Sequence, residues 1–306
     1  IGNLNSAFGN SSLRYNTTGI QNTAAGHQSS YTNTIGYNNN AFGYRSLLFN
    51  TTGNNNSAFG YYSLRNNTIG VRNVAVGNRS LRANTTGNYN TAVGYESLAS
   101  STVSNNSAFG YTSLYNNTTG TSNSAFGFQS LVTNTTGSKN SAFGFQALLY
   151  NTVADNNSAF GYKALRSNTI GYNNSAFGYK SLFANTTGTY NTAIGFGTLQ
   201  TNTTGSFNSA VGFGALLSNV TGNNNTAFGY FALFYNIASN NSAFGINSLR
   251  NNTTGTNNTA IGRDSLITNT IGIDNTAVGL NSMYYNTTGS YNTAVGRSYL
   301  VSNTIG

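Results

Sequence analysis

Residues 56–72 have the sequence Asn-Ser-Ala-Phe-Gly-Tyr-Tyr-Ser-Leu-Arg-Asn-Asn-Thr-Ile-Gly-Val-Arg, and a unit of this pattern occurs 18 times in the 306 residues. The general frame is Asn-[Ser/Thr]-Ala-[Phe/Val/Ile]-Gly-[Tyr/Phe]-x-[Ser/Ala]-Leu-x-x-Asn-Thr-[Thr/Ile]-Gly-x-x. Successive units begin 17 residues apart, except for two steps of 16 residues that each remove one residue from a turn. A fixed period of this kind indicates a repeat architecture in which neighbouring units stack on one another.

The first six residues of each unit alternate small and large side chains, which is typical of a β-strand with two different faces. A second short segment around the leucine carries the other regular apolar residue, and Asn-Thr-Thr-Gly forms a turn. Seventeen residues are too few for two packed helices, and the frame is rich in residues that interrupt helices. We therefore predict an all-β fold, a parallel β-solenoid (β-roll) of about 18 coils, with residues 1–306 forming a single continuous array without separate domains.

Positions that hardly vary among the units predict columns of identical side chains. The first position is Asn and the third is Ala in all 18 units, and the ninth is Leu in 16 of them. Uniform Ala implies crowding, uniform Asn implies amide hydrogen bonds along the stack, and uniform Leu implies an aliphatic core. The predicted structural columns include Asn5, Ala7, Phe8, Gly9, Leu13, Asn56, Ala58, Phe59, Gly60, Leu64, Ala92, Gly94 and Leu98.

The large residues at the fourth and sixth positions leave two arrangements open. Either they fill the inside of a solitary solenoid, or Ala and Gly fill a thin coil and the large residues face a partner. Invariant Ala and Gly favour the thin coil, and a continuous apolar stripe on its outside would need a partner. We therefore expect a homo-oligomer, with a trimer among the alternatives, or a filament. The seventh position, which includes Arg45, Glu96 and Lys163, is expected to face water.

Composition argues against disorder and against several classes of partner. Hydrophobic residues make up 38% of the chain and aromatic residues 13%, which is too apolar for an intrinsically disordered segment. The formal charge of +9 is spread thinly, so we predict no nucleic-acid binding and only a weak general attraction to anionic surfaces. Arg65 and Arg82, at the tenth position of adjacent units, indicate an outer face without a ligand. No apolar run is long enough to predict a membrane span.

Residues suited to catalysis or metal binding are scarce. They are one histidine, His27, and four carboxylates, Glu96, Asp155, Asp264 and Asp274, which are spread over four repeats and four positions of the frame. No cysteine is available for a thiolate site, and the turns lack the aspartates of calcium-binding β-rolls. We predict that the chain is not an enzyme and holds no metal or cofactor.

Threonine occupies the thirteenth position in 16 of the 18 units and predicts a further column. The same stretch contains Asn-x-Thr sequons, beginning for example at Asn16 and Asn50. Ile35 and Ile69 replace the last Thr of the sequon, which indicates a half-buried position chosen for β propensity instead of glycosylation. A regular Thr column is also a candidate for binding ice or a glycan, and its members include Thr17, Thr51, Thr85, Thr118 and Thr135.

The run Asn-Thr-Ala-Val-Gly occurs at residues 90–94, 275–279 and 292–296, and in the first two it is followed three residues later by Ser. This run resembles the head repeat of YadA-type trimeric autotransporter adhesins. The frame with Tyr, Leu and Asn-Thr-Thr-Gly is also similar to repeat arrays of phage-type tail-fibre proteins. The resemblance implies a left-handed parallel β-roll that forms trimers and has no catalytic residues.

The sequence thus predicts a non-enzymatic structural or adhesive extracellular fibre or filament, with an ice- or glycan-binding solenoid as the alternative. The chain begins and ends within a unit, at Ile1-Gly2 and Thr304-Ile305-Gly306, which indicates a piece of a longer array. We expect it at a cell surface or a virion surface, where a cell-surface or glycan receptor would be a second partner besides the chain itself.

Overall fold

The structure, a computed structural model, describes residues 2–301. Contacts between residues divide the chain into two compact structural units, Ile1–Asp155 (the first unit) and Asn156–Gly306 (the second unit). Both are built from the same 17-residue repeat, which we call a coil from here on. The prediction of one continuous array stays a prediction. Ile1 and residues 304–306, which figure in the prediction of incomplete first and last repeats, lie outside the described residues.

Each coil contributes one strand of three residues, and no helix occurs in residues 2–301, so none of them lies in a helix that could cross a lipid bilayer. The first unit contains β1 Ser6–Phe8, β2 Thr23–Ala25, β3 Asn40–Phe42, β4 Ser57–Phe59, β5 Val74–Val76, β6 Thr91–Val93, β7 Ser107–Phe109, β8 Ser124–Phe126 and β9 Ser141–Phe143. The second unit contains β10 Ser158–Phe160, β11 Ser175–Phe177, β12 Thr192–Ile194, β13 Ser209–Val211, β14 Thr226–Phe228, β15 Ser242–Phe244, β16 Thr259–Ile261, β17 Thr276–Val278 and β18 Thr293–Val295.

Within each unit the strands pair in parallel and in register with the repeat. Ala58 is the partner of Ala75 in the first unit, and Ala193 is the partner of Ala210 in the second. Across the shortened turn after β6, Ser107 is the partner of Thr91, so the missing residue comes from the turn and the strand register is kept. The predicted parallel β-solenoid is therefore confirmed.

The segment around the leucine forms a turn, not a second strand. The residues at the seventh and ninth positions of the repeat have left-handed backbones, with φ of 52° at Arg45 and 50° at Leu47. The Arg45 amide donates to the His27 carbonyl of the preceding coil (2.9 Å), and the Leu47 amide donates to the Ser63 carbonyl of the following coil (3.0 Å). The two left-handed residues therefore direct their amides to the coils on opposite sides. Hydrogen bonds of this kind, made along the stack, take the place of a strand ladder.

The interior of each coil is thin and filled by small residues and leucine. Ala58 and Leu64 are fully buried, whereas Phe59 points outward and is 39% exposed. This is the thin-coil arrangement, because side chains alternate between the two faces of a strand and Ala takes the inner face. Each buried leucine stabilises the stack by about 1.5–3 kcal/mol. In the first coil, Ala7 and Phe8 are exposed, since only one side of that coil is covered by another.

Two columns of buried asparagine amides run through the coils. At the first position, Asn56 Nδ2 donates to the Gly70 carbonyl (2.8 Å), and its Oδ1 accepts from the Asn73 backbone amide (3.0 Å). At the twelfth position, Asn67 Nδ2 donates to Asn50 Oδ1 (2.8 Å) and also to the Gly70 carbonyl (3.0 Å). Each column therefore satisfies polar groups that would otherwise be buried without partners.

The second column includes the asparagines of the sequons. Asn50 is fully buried, and both hydrogens of its amide are donated, to Asn33 Oδ1 (2.7 Å) and to the Gly53 carbonyl (2.9 Å). A glycan on Nδ2 would remove one of these bonds and occupy filled space. The residue two places after the sequon asparagine is more exposed than the sequence indicates: Ile35 and Ile69 are 53% and 52% exposed, not half-buried.

Candidate interaction surface

The fourth and sixth positions form two rows of exposed apolar side chains, which we call the aromatic stripe. The fourth residue ends the strand and points outward because the preceding alanine points inward. A single residue, the glycine at the fifth position, separates the two rows along each coil. In the first unit, the rings that are 37–48% exposed are Phe42, Tyr44, Phe59, Tyr61, Tyr95, Tyr111, Phe128 and Phe145.

The rings within each row stack on one another at the spacing of the coils. In the fourth row, the ring centroids of Phe109 and Phe126 are 4.5 Å apart, with 12° between the ring planes. In the sixth row, the centroids of Tyr111 and Phe128 are 5.2 Å apart, with 9° between the planes. Because each ring covers the face of its neighbour, the stripe presents ring edges to the solvent. Such a surface suits broad apolar contact better than stacking of a sugar on a ring face.

The stripe of the first unit is also uncharged. The fourth positions of this unit are all apolar, and the sixth positions contain tyrosine, phenylalanine, asparagine and His27 but no Asp, Glu, Lys or Arg. His27 continues the sixth row, since its ring stacks on Tyr44 with centroids 5.3 Å apart. The large side chains at these two positions were evident in the sequence, and the structure places both rows outside.

The predicted Thr column lies at the surface, where Thr17 and Thr118 are exposed and the other named members are half-buried. Its hydroxyls bond along the stack: Thr51 Oγ1 donates to the Thr68 carbonyl and Thr68 Oγ1 to the Thr85 carbonyl, both at 3.0 Å. The hydroxyl hydrogens are thereby used inside the protein, which leaves the oxygens as acceptors. Binding of ice or of a glycan by this column stays a prediction, and thermal hysteresis of the purified protein would test the binding of ice.

The four carboxylates are dispersed along the chain. Arg79 donates to Glu96 Oε1 (3.1 Å), and this hydrogen bond raises the pKa of Arg79. Arg263 Nε lies 3.0 Å from Asp264 Oδ2, and Asp155 Oδ1 accepts from the Ser138 amide (2.6 Å). Within residues 2–301, no three His, Cys, Asp or Glu residues come together in a way that could hold a metal ion.

The seventh position does not simply face water, contrary to the prediction. Arg45 is half-buried because its Nε donates to Gln28 Oε1 of the preceding coil (2.8 Å), and Asp264 is only 9% exposed. Seventh-position side chains lie along the stack and bond to their copies. Arg65 at the tenth position is also half-buried, whereas Arg82 is exposed.

A cleft of about 300 Å³ in the first unit was not expected from the sequence, and we call it the arginine cleft. It lies beside the seventh, tenth and eleventh positions of three successive coils. A charge signal existed, because residues 1–95 contain six arginines and no Asp or Glu. The residues that line the arginine cleft are Gln28, Tyr31, Thr32, Arg45, Leu48, Phe49 and Arg65.

No protein-family model matches the chain, and a comparison with curated proteins finds no match. The resemblance to trimeric autotransporter adhesin heads and to tail-fibre repeats stays a prediction.

Proposed function

We propose that the chain is a non-enzymatic structural or adhesive component of an extracellular fibre or filament, and that copies associate through the aromatic stripe. The observation that carries this proposal is the exposed, uncharged double row of rings along the coils of the first unit. Soluble monomers rarely leave a contiguous apolar patch of this extent uncovered.

The area of the stripe supports association. A Phe or Tyr side chain buries on the order of 200 Å² when fully covered, so a ring that is about two-fifths exposed offers about 80 Å². The eight rings of the first unit that are 37–48% exposed therefore offer about 600 Å². Phe109, Phe126 and Phe143, which are half-buried, bring the stripe near the ~800 Å² that a stable interface takes from each partner.

The spacing of the stripe favours a second copy of the chain as the partner. An apolar side chain recurs at the fourth position of every coil of the first unit, and another copy presents such side chains at the same spacing. Contact made at one coil is therefore repeated at the next without any mismatch. Since the stripe of the first unit has no charged residue, it offers no charge pattern that would select a differently charged partner.

Removing rings from the stripe should weaken self-association. We expect the triple variant Tyr111→Asn, Phe128→Asn, Phe145→Asn to associate at least about tenfold more weakly, because each substitution removes buried apolar area. Asn occupies this position naturally at Asn10 and Asn78, so the coil accepts it. Light scattering over a concentration series would measure the mass against that of the 32.2 kDa chain.

The matched control removes exposed apolar side chains from the fourteenth position. The triple variant Ile35→Thr, Ile69→Thr, Val153→Thr loses three residues that are 49–53% exposed, and Thr is common at that position. We expect it to associate like the wild type. A wild-type chain that stays monomeric at every concentration, or equal weakening in both triple variants, would refute the proposal.

The location and the receptor belong to the same proposal. The resemblance to adhesin and tail-fibre repeats supports an extracellular location, at a cell or virion surface. It also supports a cell-surface or glycan receptor as a partner. Electron microscopy of the purified protein should show elongated particles or filaments, and compact globules would contradict the fibre.

A further inference from the structure

The arginine cleft has two guanidinium groups at its border, and both are held in place. Arg65 lies over the rings of Phe49 and Tyr62, with its Cζ 4.8 Å and 5.2 Å from the ring centroids. Arg45 Cζ lies 5.1 Å from the ring centroid of Tyr44, and Arg45 Nε donates to Gln28 Oε1 (2.8 Å). These contacts fix the two side chains before any ligand arrives, which lowers the entropy that binding would cost.

Two polar side chains of the cleft, Gln28 and Arg65, have hydrogen-bond donors left over. Gln28 Oε1 already accepts a hydrogen bond from Arg45, so the amide nitrogen of Gln28 is the group that remains to bind a ligand. Arg65 makes one hydrogen bond, from Nη1 to Asn66 Oδ1 (3.0 Å), and its Nε is buried without a partner. The other N–H groups of its guanidinium are therefore the donors left for a ligand. Thr32 Oγ1 shares its single hydrogen between the carbonyls of Leu48 and Asn50 and has no donor left. Surplus donors at a site are matched by a ligand group that only accepts, and an oxyanion is such a group.

No carboxylate competes for these donors. Residues 1–95 carry six arginines and no Asp or Glu, and the first acidic residue, Glu96, is paired with Arg79. The potential around the cleft is therefore positive, and the two arginines of the cleft are neutralised by no neighbouring side chain. An anion bound there would gain both charge and hydrogen bonds.

The other walls of the cleft are apolar. Leu48 is 5% exposed, and Phe49, which is 39% exposed, carries the Arg65 guanidinium over its ring. A volume of about 300 Å³ is at the lower end of the range for small-molecule sites. The cleft therefore suits one ring-sized group that has an apolar side and bears a negative charge.

We propose that the arginine cleft binds the oxyanion of an acidic sugar, a carboxylate or a sulfate group, between Arg45 and Arg65. The sugar ring lies against Phe49 and Leu48, and Gln28 donates to the same oxyanion or to a neighbouring hydroxyl. No ring of the aromatic stripe lines this site, although Arg45 packs against Tyr44 of the sixth row, and the site does not require association between copies.

The test uses the full chain and three soluble probes: glucuronic acid, glucose 6-sulfate and neutral glucose. We expect the two anionic sugars to bind in a calorimetric or NMR titration, more weakly as sodium chloride is added, and glucose not to bind. Tighter binding of glucuronic acid would assign the site to carboxylates, and tighter binding of glucose 6-sulfate would assign it to sulfates.

Two variants and one control locate the binding. Arg45→Gln and Arg65→Gln should each weaken binding about tenfold or more, because each removes a charge-assisted hydrogen bond. Gln already occupies the position of Arg45 in the preceding coil, as Gln28, and in a later coil, as Gln129, so that variant should fold. Arg82→Gln makes the same charge change at an exposed site outside the cleft and should change binding less than about twofold.

Several results would overturn the proposal. If Arg65→Gln and Arg82→Gln weaken the binding of the acidic sugars equally, the attraction is diffuse. If neutral glucose binds as tightly as the acidic sugars, the site does not recognise an oxyanion. Binding of an anionic phospholipid vesicle or an oligonucleotide, with no binding of either acidic sugar, would also refute it. Since light scattering measures the mass and the titration measures sugar binding, failure of this site is distinguishable from failure of the proposed fibre.

Discussion

Replacing Asn50 by aspartate should lower the free energy of unfolding by about 3–5 kcal/mol at neutral pH. Asn50 is fully buried, donates to Asn33 Oδ1 and to the Gly53 carbonyl, and accepts from Asn67 Nδ2 (2.8 Å). A carboxylate at this position can accept but cannot donate. The variant therefore places a charge in the interior, facing Asn33 Oδ1, which has lost its donor, and the Gly53 carbonyl, which keeps only the bond from Asn39 Nδ2 (2.8 Å).

The loss should depend on pH in a direction that the burial determines. Burial raises the pKa of the new carboxyl in the folded state above its unfolded value of about 3.9. The folded protein therefore tolerates the protonated form best, and the loss is smallest below the unfolded pKa. It grows as the pH rises through the folded pKa. Part of the loss remains in acid, because a carboxylic acid donates one hydrogen bond where the amide donates two.

Urea unfolding followed by circular dichroism at several pH values measures this loss. The control is Asn116→Asp, which makes the same change at an exposed position and should alter stability by no more than about 0.5 kcal/mol. If the two variants lose equal stability, or if the loss at Asn50 is independent of pH, the buried amide column does not hold the coils together as described.

Gly212→Ala should destabilise the second unit by about 3 kcal/mol or more. Gly212 has φ of 130°, a backbone region essentially restricted to glycine, and a Cβ there would lie 2.5 Å from the Gly229 carbonyl oxygen of the next coil. Neither atom can move away without breaking the stack, because the Gly212 amide donates to the Ile194 carbonyl (2.9 Å). The expected result is a lower midpoint of thermal or urea unfolding.

Gly197→Ala is the matched control in the same unit. Gly197 also has positive φ, but its value of 63° is accessible to other residues, and Lys180 occupies the same position of the preceding coil with φ of 51°. A Cβ on Gly197 would meet only the ends of two side chains, Gln200 and Leu217. We expect a loss of no more than about 1 kcal/mol. Equal losses at Gly197 and Gly212 would show that close approach of the coils is not what requires glycine at the fifth position.

The columns were predictable because each repeat samples the same environment. Ala at all 18 third positions and Leu at most ninth positions report a confined interior directly. The choice of the thin coil followed from the same uniformity, since a larger inner space would tolerate larger residues than Ala58 or Ala75. The outward direction of Phe59 then follows from the alternation of a strand.

The turn around the leucine was not predictable in the same way. Left-handed backbones are usually indicated by glycine or asparagine, but here they occur at Arg45 and Leu47. Bonds to the coils on both sides and complete burial of Leu47 offset the local cost of this conformation. The signal therefore lies in contacts between coils and not in the local sequence.

The second amide column and the arginine cleft were missed for different reasons. The asparagines of the column coincide with a sequon pattern, which draws attention to glycosylation and away from burial. The cleft depends on how Arg45 and Arg65, which lie 20 residues apart, rest on rings of their own and neighbouring coils. Side-chain packing of this kind varies from coil to coil and leaves no periodic signal.

The stacking of copies of one position, 17 residues apart, can be measured directly because the chain has no cysteine. Pyrene attached to the double variant Tyr111→Cys, Phe128→Cys replaces two rings whose centroids are 5.2 Å apart, and dilution with unlabelled chain removes contacts between copies. We expect strong excimer fluorescence from this pair and little from Tyr111→Cys, Thr119→Cys, although the latter positions are closer in sequence. Absence of the excimer in the first pair, or an equal excimer in both, would contradict the stacked coil on which the aromatic stripe and the arginine cleft depend.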